Sequence, residues 1–172
     1  MFKIISCITK KGVIGDKGRL LYIIKEDITN FKRMTIGNVV IMGRKTFESL
    51  PDGKPLPDRI NIVLTHNTEW GTEPADNLFI VNSVEDAVEL CKAYFADKEL
   101  FVIGGESIYK QFLDNGLVDE MRLTIVNDTT SGDAHFPPYD ENDWRVYYET
   151  SKQTSADDKD VSFIFRVLKK NQ

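Results

Sequence analysis

The sequence predicts an α/β fold in one domain spanning residues 1–172, with a mostly parallel central sheet, an antiparallel C-terminal edge and helices on both faces. Three observations lead to this prediction. Short apolar segments alternate along the chain with segments of helical spacing, which is typical of parallel strands joined by helices. Two apolar segments end in glycine, at Gly43 and Gly104, immediately before a helix. Residues 144–149 and 161–168 alternate with period two, which indicates an antiparallel pair.

The composition excludes several classes of protein. Hydrophobic residues make up 41% and charged residues 28% of the 172 positions, as in ordinary globular domains. A net charge of −5 argues against nucleic acid as a partner, because no basic face is available to offset phosphate repulsion. No apolar run approaches the roughly 20 residues that span a bilayer. The N-terminus enters a strand pattern directly, so we expect a cytoplasmic protein with no membrane partner.

The cysteines and histidines do not suggest a metal centre. Cys7 lies in an apolar strand and Cys91 on the apolar side of a helix, so both are expected to be buried thiols. Only two histidines are present, His66 and His135, and neither stands near a cysteine in a metal-like spacing. We therefore expect no metal site.

The N-terminal segment predicts a buried strand over residues 2–8. Residues 10–19 contain three glycines and are too irregular for a regular element, so they are predicted to form a mobile surface loop. The apolar residues 20–24 that follow belong either to the core or to the lining of a pocket that this loop covers.

A helix beginning near Lys25 places two acids, Glu26 and Asp27, in its first turn. The helix dipole favours acids there, so capping is the simplest explanation for both. Asp27, however, shares a helical face with apolar Ile28 and Phe31, whereas Glu26 faces away. A carboxylate on an apolar face is costly without a partner or a use, and desolvation raises its pKa. Asp27 is therefore a candidate proton donor.

The middle of the chain repeats a strand, a glycine and a helix. Residues 38–43 predict a strand and residues 44–50 a short helix with cations in its first turn, where they oppose the helix dipole and call for an anion. A turn over 51–58 and strands over 59–64 and 78–81 follow. Ser83 predicts the N-cap of the next helix. Residues 99–105 form a strand that ends in Gly104-Gly105, where glycines and free helical amides can approach a phosphate.

The last third predicts a helix ending near Leu113, a strand over residues 120–126, a turn over 132–137 and the antiparallel pair. The acidic residues between and before its strands are predicted to form a solvated face. Ligands of such sheets bind at the carboxyl ends of the strands, and the ends at Gly43, Leu64 and Gly104 all carry residues compatible with phosphate. Several such ends on one edge favour a dinucleotide.

The sequence resembles dihydrofolate reductase over nearly its whole length. The resemblance rests on the order and spacing of several blocks: Gly12-Val-Ile-Gly15, Glu26-Asp27 with Phe31-Lys32, residues 41–49, Pro55-Leu-Pro57 with Arg59 and Asn61, Val102-Ile-Gly-Gly105 with Tyr109, and Gly132-Asp133 with His135-Phe-Pro137. It implies a monomeric enzyme that reduces dihydrofolate with hydride from NADPH. Two alternatives remain: the related reductase of riboflavin synthesis, and a non-catalytic nucleotide-binding protein on the same fold. The Asp27 and Arg59 pair disfavours the first, and the desolvation cost of Asp27 disfavours the second.

On the substrate side, the resemblance implies that Asp27 holds the pterin and raises its proton affinity, and that Thr124 hydrogen-bonds the Asp27 carboxylate. Arg59 is expected to pair with the α-carboxylate of the glutamate tail, which suits a bidentate guanidinium. The remaining predicted substrate-binding residues are Ile5, Cys7, Ile28, Phe31, Lys32, Leu50, Leu56 and Ile103.

On the cofactor side, the resemblance implies that the pyrophosphate lies between the two glycine-ended strands. Arg44, Thr65 and His66 are expected near the adenosine 2′-phosphate, although His66 is equally well explained as an ordinary loop residue. Asp133 is expected to hold the Gly15 loop closed. The predicted cofactor-binding residues are Cys7, Ile14, Gly15, Leu20, Gly43, Arg44, Lys45, Thr46, Leu64, Thr65, His66, Gly104, Gly105, Glu106, Ser107, Ile108 and Tyr109.

Two positions depart from the family pattern. The family usually has Pro-Trp where this chain has Leu21-Tyr22, and that tryptophan helps to position a water. Two alternatives follow: the phenol of Tyr22, a candidate catalytic residue, replaces the indole donor, or the water takes another position. The family often has a glycine and then a basic residue where Glu106-Ser107 stand here. The change removes one cation near the 2′-phosphate and places an acid near the pyrophosphate.

Overall fold

The structure, a computed structural model, describes residues 1–171. Its strands are β1 Phe2–Thr9, β2 Val13–Asp16, β3 Arg19–Leu20, β4 Val39–Gly43, β5 Ile60–Leu64, β6 Leu78–Val81, β7 Leu100–Gly104, β8 Val118–Val126, β9 Ala134–His135, β10 Trp144–Glu149, β11 Gln153–Thr154 and β12 Ser162–Lys170. Its α-helices are α1 Lys25–Thr35, α2 Arg44–Glu48, α3 Val84–Tyr94 and α4 Glu106–Asp114. Two single-turn 3₁₀ helices cover Pro51–Gly53 and Glu141–Asp143.

Nine strands form the larger sheet, in the order β10-β12-β8-β1-β7-β4-β5-β6 with β11 beside β12. The pairs from β8 through β1, β7, β4 and β5 to β6 are all parallel. Strand β12 is antiparallel to both β8 and β10. The predicted fold class, including the antiparallel C-terminal edge, is therefore confirmed.

The period-two alternation of the central strands divides the core between the two faces of the sheet. On β1, Ile4 packs with Phe112 of α4, whereas its neighbour Ile5 packs with Phe47 of α2. Helices α3 and α4 cover the first face, and α1 and α2 cover the second. Strands that are buried on both faces consist almost entirely of apolar residues, and β1, β4 and β7 could therefore be predicted from apolar runs in the sequence.

The strand register places three chain segments at one edge of the sheet. Gly43 at the end of β4 lies opposite Leu64 at the end of β5, and Met42 lies opposite Gly104 at the end of β7. Because parallel strands run in the same direction, their carboxyl ends meet there. The prediction that these ends share an edge is confirmed.

Residues 10–19 differ from the prediction of an irregular loop. They contain β2 and β3, which form a separate three-stranded sheet with β9. Val13 and Ile14 are buried, and Val13 pairs with His135 more than a hundred positions later. Strands of two to four residues whose partner is so distant leave no periodic pattern in the sequence.

The helix starts agree with the sequence in part. The Ser83 side chain accepts a hydrogen bond of 3.0 Å from the Asp86 amide and caps α3 as predicted. Helix α1 has no side-chain cap, and Glu26 and Asp27 lie in its first turn. Within residues 1–171, no helix has the length and apolar character needed to cross a membrane.

Candidate active site

Asp27 lies at the start of α1, where the helix meets strand β8. The Thr124 hydroxyl on β8 donates a hydrogen bond to Asp27 Oδ1. Burial raises the pKa of the Asp27 carboxyl above its usual range, and the hydrogen bond from Thr124 partly opposes that rise. Asp27 is therefore an oriented carboxyl group that holds its proton to a higher pH than an exposed aspartate does.

The neighbouring strand β1 completes the surroundings of Asp27. Cys7 lies directly opposite Thr124 in the parallel register and is half-buried. Burial, followed by the charge of Asp27, raises the pKa of the Cys7 thiol, so Cys7 is a neutral apolar group at this position. The Tyr109 hydroxyl of α4 donates 2.7 Å to the Ile5 carbonyl and fixes β1 against that helix.

The predicted apolar substrate walls are brought together on one face of the sheet. Five of the residues pack in a single cluster with α1 and α2: Ile5, Phe31, Leu50, Leu56 and Ile103. Cys7 belongs to the adjacent cluster. Ile28 is 49% exposed and Lys32 is exposed, both on α1 beside this cluster. An exposed isoleucine next to a half-buried carboxyl group indicates an open apolar surface.

Arg59 is buried, with only 6% of its surface exposed. Its Nε donates 2.8 Å to the Pro57 carbonyl, and its Nη1 donates 3.2 Å to the Thr35 hydroxyl. The guanidinium carbon lies 6.0 Å from the centre of the Phe31 ring. Burial lowers the pKa of Arg59, with the Asp58 charge opposing. The guanidinium is fixed in place while its other N–H groups stay available for an anion.

The N-termini of α2 and α4 lie against each other at the carboxyl edge of the sheet. A Cβ added at Gly43, which precedes α2, would lie 3.0 Å from Ile108 of α4. A Cβ added at Gly105, which precedes α4, would lie 3.5 Å from the Thr46 hydroxyl of α2. The Gly104–Gly105 peptide bond is cis. The glycines thus keep two helix starts close together, with backbone amides exposed between them.

Glu106 in the first turn of α4 has a partner that its sequence position does not reveal. Its carboxylate accepts a 2.9 Å hydrogen bond from the His135 backbone amide on β9. The adjacent Ser107 is exposed. Glu106, the acid predicted to lie near the pyrophosphate, is therefore hydrogen-bonded to the small sheet.

The residues predicted to contact a 2′-phosphate surround the same edge. Arg44 forms an ion pair of 3.1 Å with Glu48 one helical turn later. The Thr65 hydroxyl accepts 3.2 Å from the Asn67 amide in the turn after β5. Lys45 and His66 are exposed. The remaining predicted cofactor residues lie on β2 and β3, where Ile14 and Gly15 are buried and Leu20 is exposed.

The Tyr22 hydroxyl has a hydrogen-bond partner that the sequence does not indicate. The hydroxyl donates a hydrogen bond to Asp128, the second residue after β8. Hydrogen bonds from Thr130 and then from Tyr22 lower the pKa of Asp128 to about 2. Burial is the main cause of a raised pKa at Tyr22. Asp128 was missed at the sequence level, where its only signal is a polar position two residues after a buried strand.

Asp133 connects the two parts of the small sheet. Its carboxylate accepts 3.1 Å from the Lys17 amide, and its own amide donates 3.2 Å to the Gly15 carbonyl. These contacts hold the turn between β2 and β3 against the segment before β9. The contact expected between Asp133 and the Gly15 loop is present.

The comparisons with known proteins agree with this geometry. A family model described as dihydrofolate reductase matches residues 1–170. The chain belongs to the dihydrofolate reductase family. It is 34% identical over 161 residues to a dihydrofolate reductase of Staphylococcus aureus strain Mu50, covering 92% of each chain. It is 33% identical over 159 residues to that of Bacillus subtilis strain 168, covering 92% of this chain and 88% of the relative.

A solved dihydrofolate reductase has the same fold. The enzyme from Enterococcus faecalis, in complex with NADP(H) and RAB-propyl, superposes with a TM-score of 0.84 at 28% identity. The match covers 100% of this chain and 97% of that one. The activity of this dihydrofolate reductase family member is the NADPH-dependent reduction of dihydrofolate, and the two alternative functions are not favoured.

Proposed function

We propose that Asp27 supports the protonation step when this chain reduces 7,8-dihydrofolate to 5,6,7,8-tetrahydrofolate. NADPH, when bound, supplies the hydride. The observation that carries the proposal is the Asp27 carboxyl at an apolar surface, with a raised pKa and with one oxygen engaged by Thr124. Its other oxygen is free to pair with the pterin ring and raise the proton affinity of the substrate.

The apolar cluster beside Asp27 fits the rings of the substrate. Phe31, Leu50 and Leu56 lie in one cluster that flanks α1, and exposed Ile28 extends it toward Asp27. Arg59 is oriented by Pro57 and Thr35 and would pair with the α-carboxylate of the glutamate tail. Lys32, exposed on α1, would add a second cation near that tail.

The glycine edge fits the pyrophosphate of NADPH. A Cβ at Gly43 would crowd Ile108 at the start of α4, and a Cβ at Gly105 would reach contact distance of the Thr46 hydroxyl, so the two glycines leave the most room for a ligand between the starts of α2 and α4. The Glu106 and Ser107 amides in the first turn of α4 lack helical acceptors and can bind phosphate oxygens. Gly43 to Thr46 and Gly104 to Tyr109 would hold the cofactor, with Cys7, Ile14, Gly15, Leu20 and Leu64 beside it.

Arg44 is proposed to select the 2′-phosphate, together with Thr65 and His66. Because a hydrogen bond to a charged group contributes about 1.5–3 kcal/mol, Arg44→Ala should raise the KM for NADPH by about tenfold or more. The KM for NADH, which lacks this phosphate, should change by less than about twofold. Steady-state kinetics with both cofactors measure this, and Arg145→Ala, at an exposed arginine on β10, is the control. Equal losses for the two cofactors would remove Arg44 from the assignment.

The reaction itself is tested by the loss of NADPH absorbance on mixing the purified chain with dihydrofolate, with NADH in parallel. We expect oxidation that depends on dihydrofolate and is faster with NADPH. NADPH binding without turnover would favour a non-catalytic protein, and turnover only with the pyrimidine substrate of riboflavin synthesis would favour the related reductase. Either result would overturn the proposal.

We also propose that the enzyme acts as a monomer in the cytoplasm. Every predicted site residue belongs to a single chain, and the two helix starts, the Asp27 region and Arg59 are assembled without a second copy. Both reactants are small and water-soluble.

A further inference from the structure

A cavity lies on the side of α1 that faces away from most of the predicted apolar substrate walls. It has a volume of about 570 Å³ and is bounded by the outer side of α1 and by strands β8, β12 and β10. We call it the α1–β12 groove. Its lining includes Asn30 and Arg33 of α1, whereas Ile28, Leu50, Leu56 and Ile103 take no part in it. The groove meets the predicted substrate site only around Asp27 and Thr124, with Ile5 and Phe31 beneath.

The strand register determines which side chains point into the groove. Thr124 points toward α1, because it hydrogen-bonds Asp27. Arg122, two positions earlier on β8, shares that face, as do Phe165 and Val167, which lie opposite Thr124 and Arg122 on β12. Phe165 and Val167, together with Met34 of α1, give the groove an apolar floor.

Arg122 lies beside this apolar floor, and only some of its guanidinium N–H groups have hydrogen-bond acceptors. Its Nε donates 2.5 Å to Glu120, and its Nη1 contacts the Met34 sulfur at 3.0 Å. A thioether is a weak acceptor, and a guanidinium has five N–H donors. The side chain is 32% exposed, so its remaining donors are accessible from the groove.

The charges at the two ends of the groove orient a ligand. Arg33 stands beside Met34 on α1, donates 3.1 Å to Asn30 and has no acidic partner within residues 1–171. Glu26 lies at the other end, seven positions before Arg33, or about 10 Å along the helix. One of its carboxylate oxygens accepts from the Ala156 amide, and the other is buried with no partner among the described residues. Two further cations line the groove: Lys25, next to Glu26, and Arg166, which is paired with Glu149. The Glu26 end therefore carries both signs of charge, whereas the other end presents Arg122 and Arg33 and attracts an anionic group.

We propose that the α1–β12 groove is a second binding site, for a small carboxylic acid with an apolar body. The carboxylate binds the guanidinium of Arg122 with Arg33 nearby, and the apolar body lies on Met34, Phe165 and Val167 toward the back of Asp27. The volume falls within the range of small-molecule sites, about 300–1,000 Å³. The groove shares Ile5, Asp27, Phe31 and Thr124 with the proposed folate pocket, but its carboxylate-binding end at Arg122 and Arg33 lies outside that pocket and does not depend on its assignment.

The test uses 2-naphthoate as the probe and measures its binding by calorimetry. We expect a Kd of about 1 mM or tighter, as is reasonable for a ligand of this size. The Kd should be the same for the free protein and for protein saturated with folate and NADP⁺. Neutral 2-naphthamide should bind at least tenfold more weakly. Displacement of the probe by folate would place it in the substrate pocket and overturn the proposal, as would equal binding of the amide.

Two variants locate the binding within the groove. Arg122→Gln should weaken 2-naphthoate binding at least tenfold, whereas Arg145→Gln, at an exposed arginine on the edge strand, should leave it unchanged. Arg122→Gln also leaves the buried Glu120 without its cation, which could destabilise the fold, so a second variant is needed. Asn30→Phe keeps Arg122 and fills the groove from α1 with a larger side chain, and it should abolish binding. Unchanged binding in either folded variant, or no binding of the probe up to about 10 mM, would refute the site.

Discussion

At the scale of single residues, the site depends on one carboxyl group held where a carboxylate is unfavourable. Asp27 lies in the first turn of α1 beside a face that carries Phe31, and burial raises its pKa. Cys7 opposite has its pKa raised as well, partly by the charge of Asp27, so it stays neutral. Because the neighbouring thiol contributes no charge, the protonation state of the site is set mainly by Asp27.

The hydrogen bond from Thr124 has a testable effect on that protonation. It lowers the pKa of Asp27 by stabilising the ionised form, so Thr124→Val should raise this pKa further. Asp27 would then keep its proton to higher pH, and the pH at which hydride transfer declines should move upward. Single-turnover rates across the pH range measure this shift. Thr29→Val, an exposed threonine on the same helix, is the control, and a downward shift would contradict the role given to Thr124.

Tyr22 was predicted to be catalytic, and its contact with Asp128 suggests how it acts. If the hydroxyl works through Asp128, Tyr22→Phe and Asp128→Asn should each lower the hydride-transfer rate by about two- to tenfold, as expected for one lost hydrogen bond. The double variant should be no slower than the slower single variant. Additive losses in this cycle would mean that Tyr22 acts on the reacting groups directly.

At the scale of elements, the junction between β7 and α4 is the most constrained. Gly104 has a φ of 117°, a conformation that side chains with a Cβ rarely adopt, and an added Cβ would lie 3.2 Å from the Tyr109 ring. The Tyr109 hydroxyl in turn binds the Ile5 carbonyl on β1. A change at Gly104 would therefore disturb both the cofactor edge and β1.

Gly104→Ala should accordingly lower the free energy of unfolding by about 1–3 kcal/mol, the usual cost of a strained backbone position, and weaken NADPH binding. Urea unfolding of the protein without cofactor and a fluorescence titration with NADPH measure the two effects. Gly71→Ala is the matched control, because a Cβ there meets no atom within 4 Å and the backbone conformation is permissive. A variant as stable as the control would show that the junction tolerates a side chain.

The elements differ in how well the sequence predicts them. Buried parallel strands and the capped helix α3 were predicted because local apolar runs and Ser83 specify them. Strands β2 and β3 were missed, because their hydrogen bonds depend on β9 and on Asp133, far along the chain. The polar segment over residues 150–160, between the two predicted antiparallel strands, likewise contains β11, whose two residues pair with β12 and leave no periodic signal.

At the scale of the whole molecule, the sheet brings residues from distant parts of the sequence together. The shared carboxyl edge of β4, β5 and β7, where we propose that the cofactor binds, could be predicted, because each strand end carries its own local glycine or polar signal. The contact between Asp27 and Thr124, 97 positions apart, was predicted only through the family resemblance. Tyr22 and Asp128 are 106 positions apart at a point where the chain departs from the family, and neither local pattern nor resemblance indicated that contact. Long-range contacts of this kind are set by topology.

The central claim is that Asp27 couples protonation to hydride transfer, and single-turnover transfer from NADPH to dihydrofolate in Asp27→Asn tests it most directly. General acid catalysis typically contributes about 10²–10⁴-fold, so we expect a loss of that size near pH 7. The loss should shrink toward acid pH, where the substrate arrives already protonated. Asp76→Asn, at an exposed aspartate, should behave as the parent. A small loss that does not vary with pH would remove Asp27 from the mechanism.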